Sequence, residues 1–148
     1  WNNEIPQGEG PLNRNGNPKN PPGQRIVTNW PVLDLGIHPK IEVEDWSLTI
    51  SELVQKPKIF SWEDFMHFPQ VEDISDFHCV ASWSRLDKNW KGVRLTDIAK
   101  HCGVLSKAKF VYINAYDAYS TNLPLAEAMK LDVLISTSMG RISVNDRP

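Results

Sequence analysis

Apolar and polar residues change their spacing several times along this chain, and each change predicts an element. Trp46, Leu48 and Ile50 alternate with polar residues, the period-2 pattern of a half-buried strand. Val54 to Pro57 reads as a turn. Ser61-Trp-Glu-Asp-Phe-Met then reads as a helix start, with Ser61 as cap and Glu63 and Asp64 near the positive end of the helix dipole. Pro69 ends that short helix. Val71 to Phe77 is strand-like and gives way to a loop around Cys79. Leu95 to Cys102 predicts a second helix, closed by Gly103. Lys109-Phe-Val-Tyr-Ile-Asn114 is the clearest strand. Leu123 to Met129 predicts a third helix, with Pro124 near its start, and Asp132 to Ser136 another strand. No internal repeat is visible. Short strands and helices mix without regular βαβ alternation, so an α+β, mostly β fold is expected rather than a doubly wound sheet.

The first 25 residues depart from this pattern. Fifteen of them are Asn, Pro or Gly. Too little apolar area is available there to offset ordering entropy, so residues 1–25 are expected to form an extended arm and residues 26–148 the domain. The arm lacks the apolar centre of a signal peptide. The whole chain has 148 residues, 41% hydrophobic and 23% charged, ordinary for one globular domain. No apolar run approaches the roughly 20 residues of a membrane helix. Net charge is −2, which argues against a dedicated nucleic-acid binder. A cytoplasmic setting is expected, although a chain starting at Trp1 leaves a preceding targeting segment open. Two cysteines, Cys79 and Cys102, are too few for a disulfide scaffold. His38, His67 and His101 share no metal spacing with each other or with a cysteine, so a zinc site is not expected.

The stretch Asp76-Phe-His-Cys-Val-Ala-Ser-Trp-Ser84 carries the most chemistry. Cys79 is either a small buried apolar residue or a thiolate, the soft ligand that transition metals favour. Arg85, Lys88 or a protonated His78 would favour the thiolate. Cys102, just before Gly103, reads as helix-end core. Trp46 and Trp62 also read as core.

Phe77-His-Cys-Val-Ala-Ser-Trp-Ser84 followed by Trp90-x-Gly-Val-x-Leu95 resembles the signature of the sulfite oxidase-like molybdopterin oxidoreductases. The likeness extends to Pro21-Pro-Gly-Gln-Arg25, Trp30-Pro-Val-Leu-Asp-Leu-Gly36, Ser61-Trp-Glu-Asp-Phe65 and Asp117-Ala-Tyr-Ser-Thr-Asn-Leu-Pro-Leu125. It implies a mixed, mostly β fold of that type, with Cys79 as the protein ligand to molybdenum and a molybdenum-molybdopterin cofactor. His78 and Arg85 join Cys79 as catalytic candidates. Asn29, Trp30, Pro31, Val32, Phe77, Trp83, Asn114 and Asp117 are the implied cofactor contacts, with Asn29 and Asp117 equally readable as turn residues. The implied reaction is two-electron oxygen-atom transfer on a small oxo substrate, sulfite- or sulfoxide-like. A separate electron-transfer partner is implied, because no haem-binding domain is visible.

Two departures stand out. Ala118 replaces a glycine usual in relatives, and would be strained if the site needs a positive φ. Thr121 and Asn122 read as helix-start caps. After Asp132-Val-Leu-Ile135 the likeness stops, and the His- and Lys-bearing blocks of relatives do not follow. The chain is therefore expected to be truncated or frameshifted near residue 136, leaving the fold incomplete at its C-terminus. Arg141 and Arg147 are the late cations left for a phosphate. A non-catalytic remnant serving as a binding module is the alternative. A thiol enzyme pairing Cys79 with His78 is a third, disfavoured because adjacent strand residues point to opposite faces.

Overall fold

A computed structural model describes residues 7–31 and 39–140. Val32, His38, the segment Leu33–Gly36, Arg141 and Arg147 lie outside the described residues. The chain divides into two compact units, residues 1–32, 73–90 and 139–148 in one and residues 33–72 and 91–138 in the other. Strands dominate, as the mixed, mostly β expectation holds.

In the first unit, residues expected as an extended arm form an antiparallel hairpin. β1 (Glu9–Leu12) pairs with β2 (Pro18–Asn20). The reason is turn chemistry rather than apolar burial. The Asn13 side-chain oxygen accepts from the Asn15 and Asn17 amides at 2.9 and 3.1 Å, and Gly16 takes φ 78°. An asparagine closing its own turn in this way sets a reversal that composition alone disguises. Side chains then anchor the hairpin. Arg14 pairs with Asp73 at 2.7 Å, and Lys19 with Asp87. Asn20 is buried.

The chain next makes the turn Pro21-Pro-Gly-Gln24, closed by the Gln24 amide on the Pro21 carbonyl at 3.2 Å. Gly23 has φ 74°, the left-handed position that a type II turn reserves for glycine. β3 (Arg25–Ile26) follows and pairs in parallel with β7 (Trp83–Arg94), Arg25 opposite Trp83 and Ile26 opposite Ser84. β6 (Gln70–Cys79) also pairs with β7. Only residues 80–82 separate them. The expected loop after Cys79 is thus a tight reversal, with the Ser82 amide on the Cys79 carbonyl at 3.1 Å and Ser82 at φ 63°. Trp83–Trp90 of β7 belongs to the first unit and Lys91–Arg94 to the second.

The second unit holds the larger apolar core. β4 (Ser47–Ile50) and β5 (Lys58–Ser61) pair antiparallel. α1 (Trp62–Met66) starts on a capping box in which Ser61 and Asp64 satisfy each other's amides. α2 (Leu95–Cys102) ends on Gly103 at φ 69°, as expected. Its last carbonyls, Cys102 and Gly103, receive the Lys56 and Gln55 amides. Phe60, Phe65, Val93, Ile98 and Cys102 form the buried cluster, with Trp46, Trp62 and Phe68 packed against it. Burial pushes the Cys102 thiol above its ordinary range, against a smaller opposing pull from Lys58.

β8 (Phe110–Asn114) and β9 (Ser120–Pro124) form a further hairpin, followed by α3 (Leu125–Ala128) and β10 (Leu134–Met139). Thr121 and Asn122 therefore sit in a strand, opposite Ile113 and Tyr112, not at a helix start. Pro124 ends β9 and caps a helix of one turn. The strand won because each of the five β8 residues has a partner there, whereas a four-residue helix gains little on its own.

Candidate functional site

The β6–β7 hairpin sorts side chains onto two faces. Alternation along β6 places Phe77 and Cys79 on one face and His78 on the other. Along β7 it places Trp83 and Arg85 on one face and Ser84 on the other. Ring contacts show which faces coincide. Phe77 stacks on Trp83 with centroids 5.4 Å apart and planes 28° apart. His78 meets Ser84, Nδ1 to Oγ 2.8 Å. The thiol of Cys79 therefore shares a face with Phe77, Trp83 and Arg85, and His78 lies on the reverse.

Trp30 completes the aromatic face. It meets Phe77 edge-on at 5.3 Å and Trp83 at 5.9 Å. Arg85 is 2% exposed, and its guanidinium carbon lies 4.5 Å from the Trp30 ring centroid. Arg85 is a buried strand residue whose planar cation stacks on an indole, a pairing worth more when desolvated. Among the described residues the buried Trp83 indole N–H has no hydrogen-bond partner, an uncommon state for a buried donor.

Trp90 also joins this face, 6.2 Å from Phe77, with its indole N–H on the Ser75 carbonyl at 3.4 Å. Simple alternation from Trp83 would send Trp90 to the other side. Asp87 intervenes at φ 54°, the left-handed conformation found at β-bulges, which shift the alternation by one. Its amide donates to Asp76 Oδ1 at 2.8 Å. Its carboxylate accepts a hydrogen bond from Lys19, whose ammonium is held above its ordinary range mainly by that bond.

Cys79 itself is half-buried. It is a free thiol at the last position of β6, before Val80, which is 99% exposed. Two residues to which the sequence reading gave no role attach here. Gln24 donates from Nε2 to the Cys79 carbonyl at 3.1 Å, and fully buried Ser84 donates from Oγ to Gln24 Oε1 at 3.2 Å. The signal that could have found Gln24 is the Pro-Pro-Gly turn immediately before it.

The remaining expected contacts are distributed differently. Asn29 is exposed in a bend, and Pro31 is half-buried. Val32 lies outside the described residues. Asn114 and Asp117 belong to the second unit, at the end and tip of the β8–β9 hairpin. Asp117 Oδ1 accepts from the Tyr119 amide at 2.9 Å, the turn role. Ala118 has φ 66°, the positive φ that the sequence comparison with glycine anticipated. Tyr116 secures the tip, its hydroxyl accepting from the Ser47 amide at 2.7 Å and donating to the Ser47 carbonyl at 2.9 Å. Among the described residues no group of three or more His, Cys, Asp or Glu is arranged to hold a metal ion. A single thiol can serve only a metal whose other ligands arrive with it.

The family model described as oxidoreductase molybdopterin binding domain matches residues 35–142. An uncharacterized oxidoreductase of Bacillus subtilis, YuiH, is 41% identical over 129 residues, covering 86% of this chain and 63% of its own length. The catalytic subunit of a protein-methionine-sulfoxide reductase from Campylobacter jejuni, MsrP, is 37% identical over 68 residues, covering 46% of this chain and 23% of its own. Among solved structures, the sulfane dehydrogenase SoxCD of Paracoccus pantotrophus superimposes with a TM-score of 0.61 at 21% identity. That match covers 68% of this chain and 31% of SoxCD. The chain thus spans less than two thirds of these relatives.

Proposed function

The chain belongs to the oxidoreductase molybdopterin-binding domain family, whose cofactor is molybdenum-molybdopterin, and from that premise we propose that Cys79 is the protein ligand to molybdenum. We propose further that the reaction is a two-electron oxygen-atom transfer on a small sulfur oxo compound. The observation that carries the reading is the face on which the Cys79 thiol stands with Phe77, Trp83, Trp30 and Arg85. Its donor set fits the group. A half-buried thiol offers one soft ligand, and the buried Trp83 indole N–H, without a partner among the described residues, offers a hydrogen bond to an acceptor oxygen or sulfur.

Molybdopterin, when bound, supplies the remaining sulfur donors and the two-electron redox chemistry. The chain's own residues bind and orient. The Phe77–Trp83–Trp30 cluster gives the thiol a low-dielectric wall, where charge interactions are stronger than in water. Arg85 acts through Trp30, holding the indole by its stack. His78, on the reverse face, is directed away from the thiol, so the reading of Cys79 and His78 as a thiol–base pair loses its support. Asn29 and Pro31 flank Trp30 in sequence and are the further candidates for cofactor contact.

The substrate class rests on relatives named for protein-methionine-sulfoxide reduction. For a sulfoxide the balance is one sulfoxide, two electrons and two protons giving the sulfide and water. The electrons come from a separate partner. Protein produced in a molybdopterin-competent host is expected to carry about one molybdenum per chain, and Cys79→Ser to lose it. Equal molybdenum in both by elemental analysis would sink the ligand assignment. Reduced-viologen oxidation by methionine sulfoxide, set beside sulfite-dependent ferricyanide reduction, tests the reaction. A molybdenum-loaded wild type inert in both assays would overturn the substrate class.

A further inference from the structure

The Cys79 carbonyl receives two donors, the Ser82 amide and Gln24 Nε2, each at 3.1 Å. A carbonyl can only accept, so it fixes which end of the Gln24 amide faces it. With Nε2 turned to Cys79, Oε1 faces Ser84 and can only accept. The single Ser84 hydroxyl proton is then committed to Gln24 Oε1. Toward His78 the same oxygen has only a lone pair to offer. The proton in the 2.8 Å contact between His78 Nδ1 and Ser84 Oγ must therefore sit on Nδ1.

We infer that Gln24 and Ser84 are positioning residues that lock the Cys79 turn and the His78 ring together, holding neutral His78 as its Nδ1–H tautomer with a bare Nε2 at the exposed surface. The parts are set by local structure. The Pro22–Gly23 turn and the parallel β3–β7 pairing bring Gln24 to the end of β6. Ser84 is fully buried, which shields its hydroxyl from bulk solvent. The chain of bonds joins the residue that carries the thiol to the opposite face of the hairpin. It also changes what His78 can do. A neutral ring with a bare Nε2 accepts a hydrogen bond and cannot donate one to an anionic oxygen from that atom. At Nε2 the neutral His78 ring is thus an acceptor.

This inference rests, for its bearing on catalysis, on the reading of Cys79 as the ligand, but it is tested without that reading. In the ¹⁵N-labelled full chain, the neutral form of the His78 ring should show a pyrrole-type Nδ1 and a pyridine-type Nε2. Ser84→Ala should return the ring to the Nε2–H tautomer that free histidine prefers. A pyridine-type Nδ1 in the wild type, which needs no variant to fold, would overturn the relay, as would an unchanged tautomer in Ser84→Ala.

Gln24→Glu separates the two ends of the relay. It keeps an oxygen acceptor for Ser84 but removes the donor to Cys79. The His78 tautomer should persist, while alkylation of Cys79 in metal-free protein, located by mass spectrometry, should accelerate roughly fivefold, the scale of one lost hydrogen bond. An unchanged alkylation rate counts against positioning of Cys79. Molybdenum content of the same preparations keeps the two ideas apart. A wrong tautomer with molybdenum retained sinks the relay alone, and the expected tautomer with molybdenum indifferent to Cys79→Ser sinks the ligand reading alone.

Discussion

Ala118 sits at the tip of the β8–β9 hairpin with φ 66° and an exposed side chain. An L-residue in this region is strained by about 1–2 kcal/mol, whereas glycine costs only about 0.5–1 kcal/mol in chain entropy. Ala118→Gly should therefore stabilise the protein by roughly 0.5–1 kcal/mol, read as a higher urea midpoint. Cys102 makes a prediction with the opposite visibility, since nothing of it reaches solvent. Burial raises its thiol above the ordinary range, so above about pH 8.5 the unfolded chain sheds this proton before the folded one does. The folded state then binds more protons, and stability falls as pH rises through that window. Replacing Cys102 by Ala should flatten the alkaline limb of a stability–pH curve while lowering stability at neutral pH through the smaller side chain. A wild type and variant with parallel alkaline limbs would contradict this.

At the scale of elements, the close approach of two backbones constrains β7 at one position. Gly92 lies in β7 where β10 passes, and a Cβ there would collide with the Ile135 carbonyl and stand 2.7 Å from Ser136 Cα. Ser136 and Thr137 hydroxyls already reach the Lys91 carbonyl at 3.1 and 3.2 Å. Because the obstruction is backbone, it cannot rotate away. Gly92→Ala should cost on the order of 3 kcal/mol or more and expose the β10 amides to hydrogen exchange. Ser61→Ala tests a gentler device. It removes one arm of the α1 capping box and should cost about 1 kcal/mol, with Ser61→Asp recovering most of it. The elements readable from sequence were those with one clear signal. α2 carried a glycine stop, α1 a serine cap, and β8 an apolar run. β7 was missed although it is the longest strand described, because charged residues fill it and the left-handed Asp87 breaks its period. β1 and β2 were missed because their stability comes from an asparagine turn and two ion pairs, not from apolar area.

Over the whole molecule, the apolar core around Phe60, Phe65 and Ile98 and the aromatic face around Phe77 and Trp83 belong to different units. The second unit contains the buried aliphatic and aromatic cluster; the first relies on turn hydrogen bonds, ion pairs and stacked rings. Cofactor loading should therefore register in global stability. A ligand at 100 times its dissociation constant adds about 2.7 kcal/mol, which corresponds to a melting temperature higher by roughly 5–10 °C at this chain length. Molybdenum-loaded wild type should melt later than metal-free protein by about that margin, and Cys79→Ser from the same host should match the metal-free curve. The described residues contain no helix long and apolar enough to cross a membrane.

The order of residues alone determined the motif around Cys79 and the helix stops, because each depends on a few neighbouring residues and their intrinsic backbone preferences. Only the tertiary structure decided that Arg85 is buried against Trp30, that His78 faces away from the thiol beside it, and that Gln24 reaches the Cys79 carbonyl across 55 positions of sequence. Those outcomes follow from strand pairing, which selects a face and a partner for each side chain through contacts that no local spacing records.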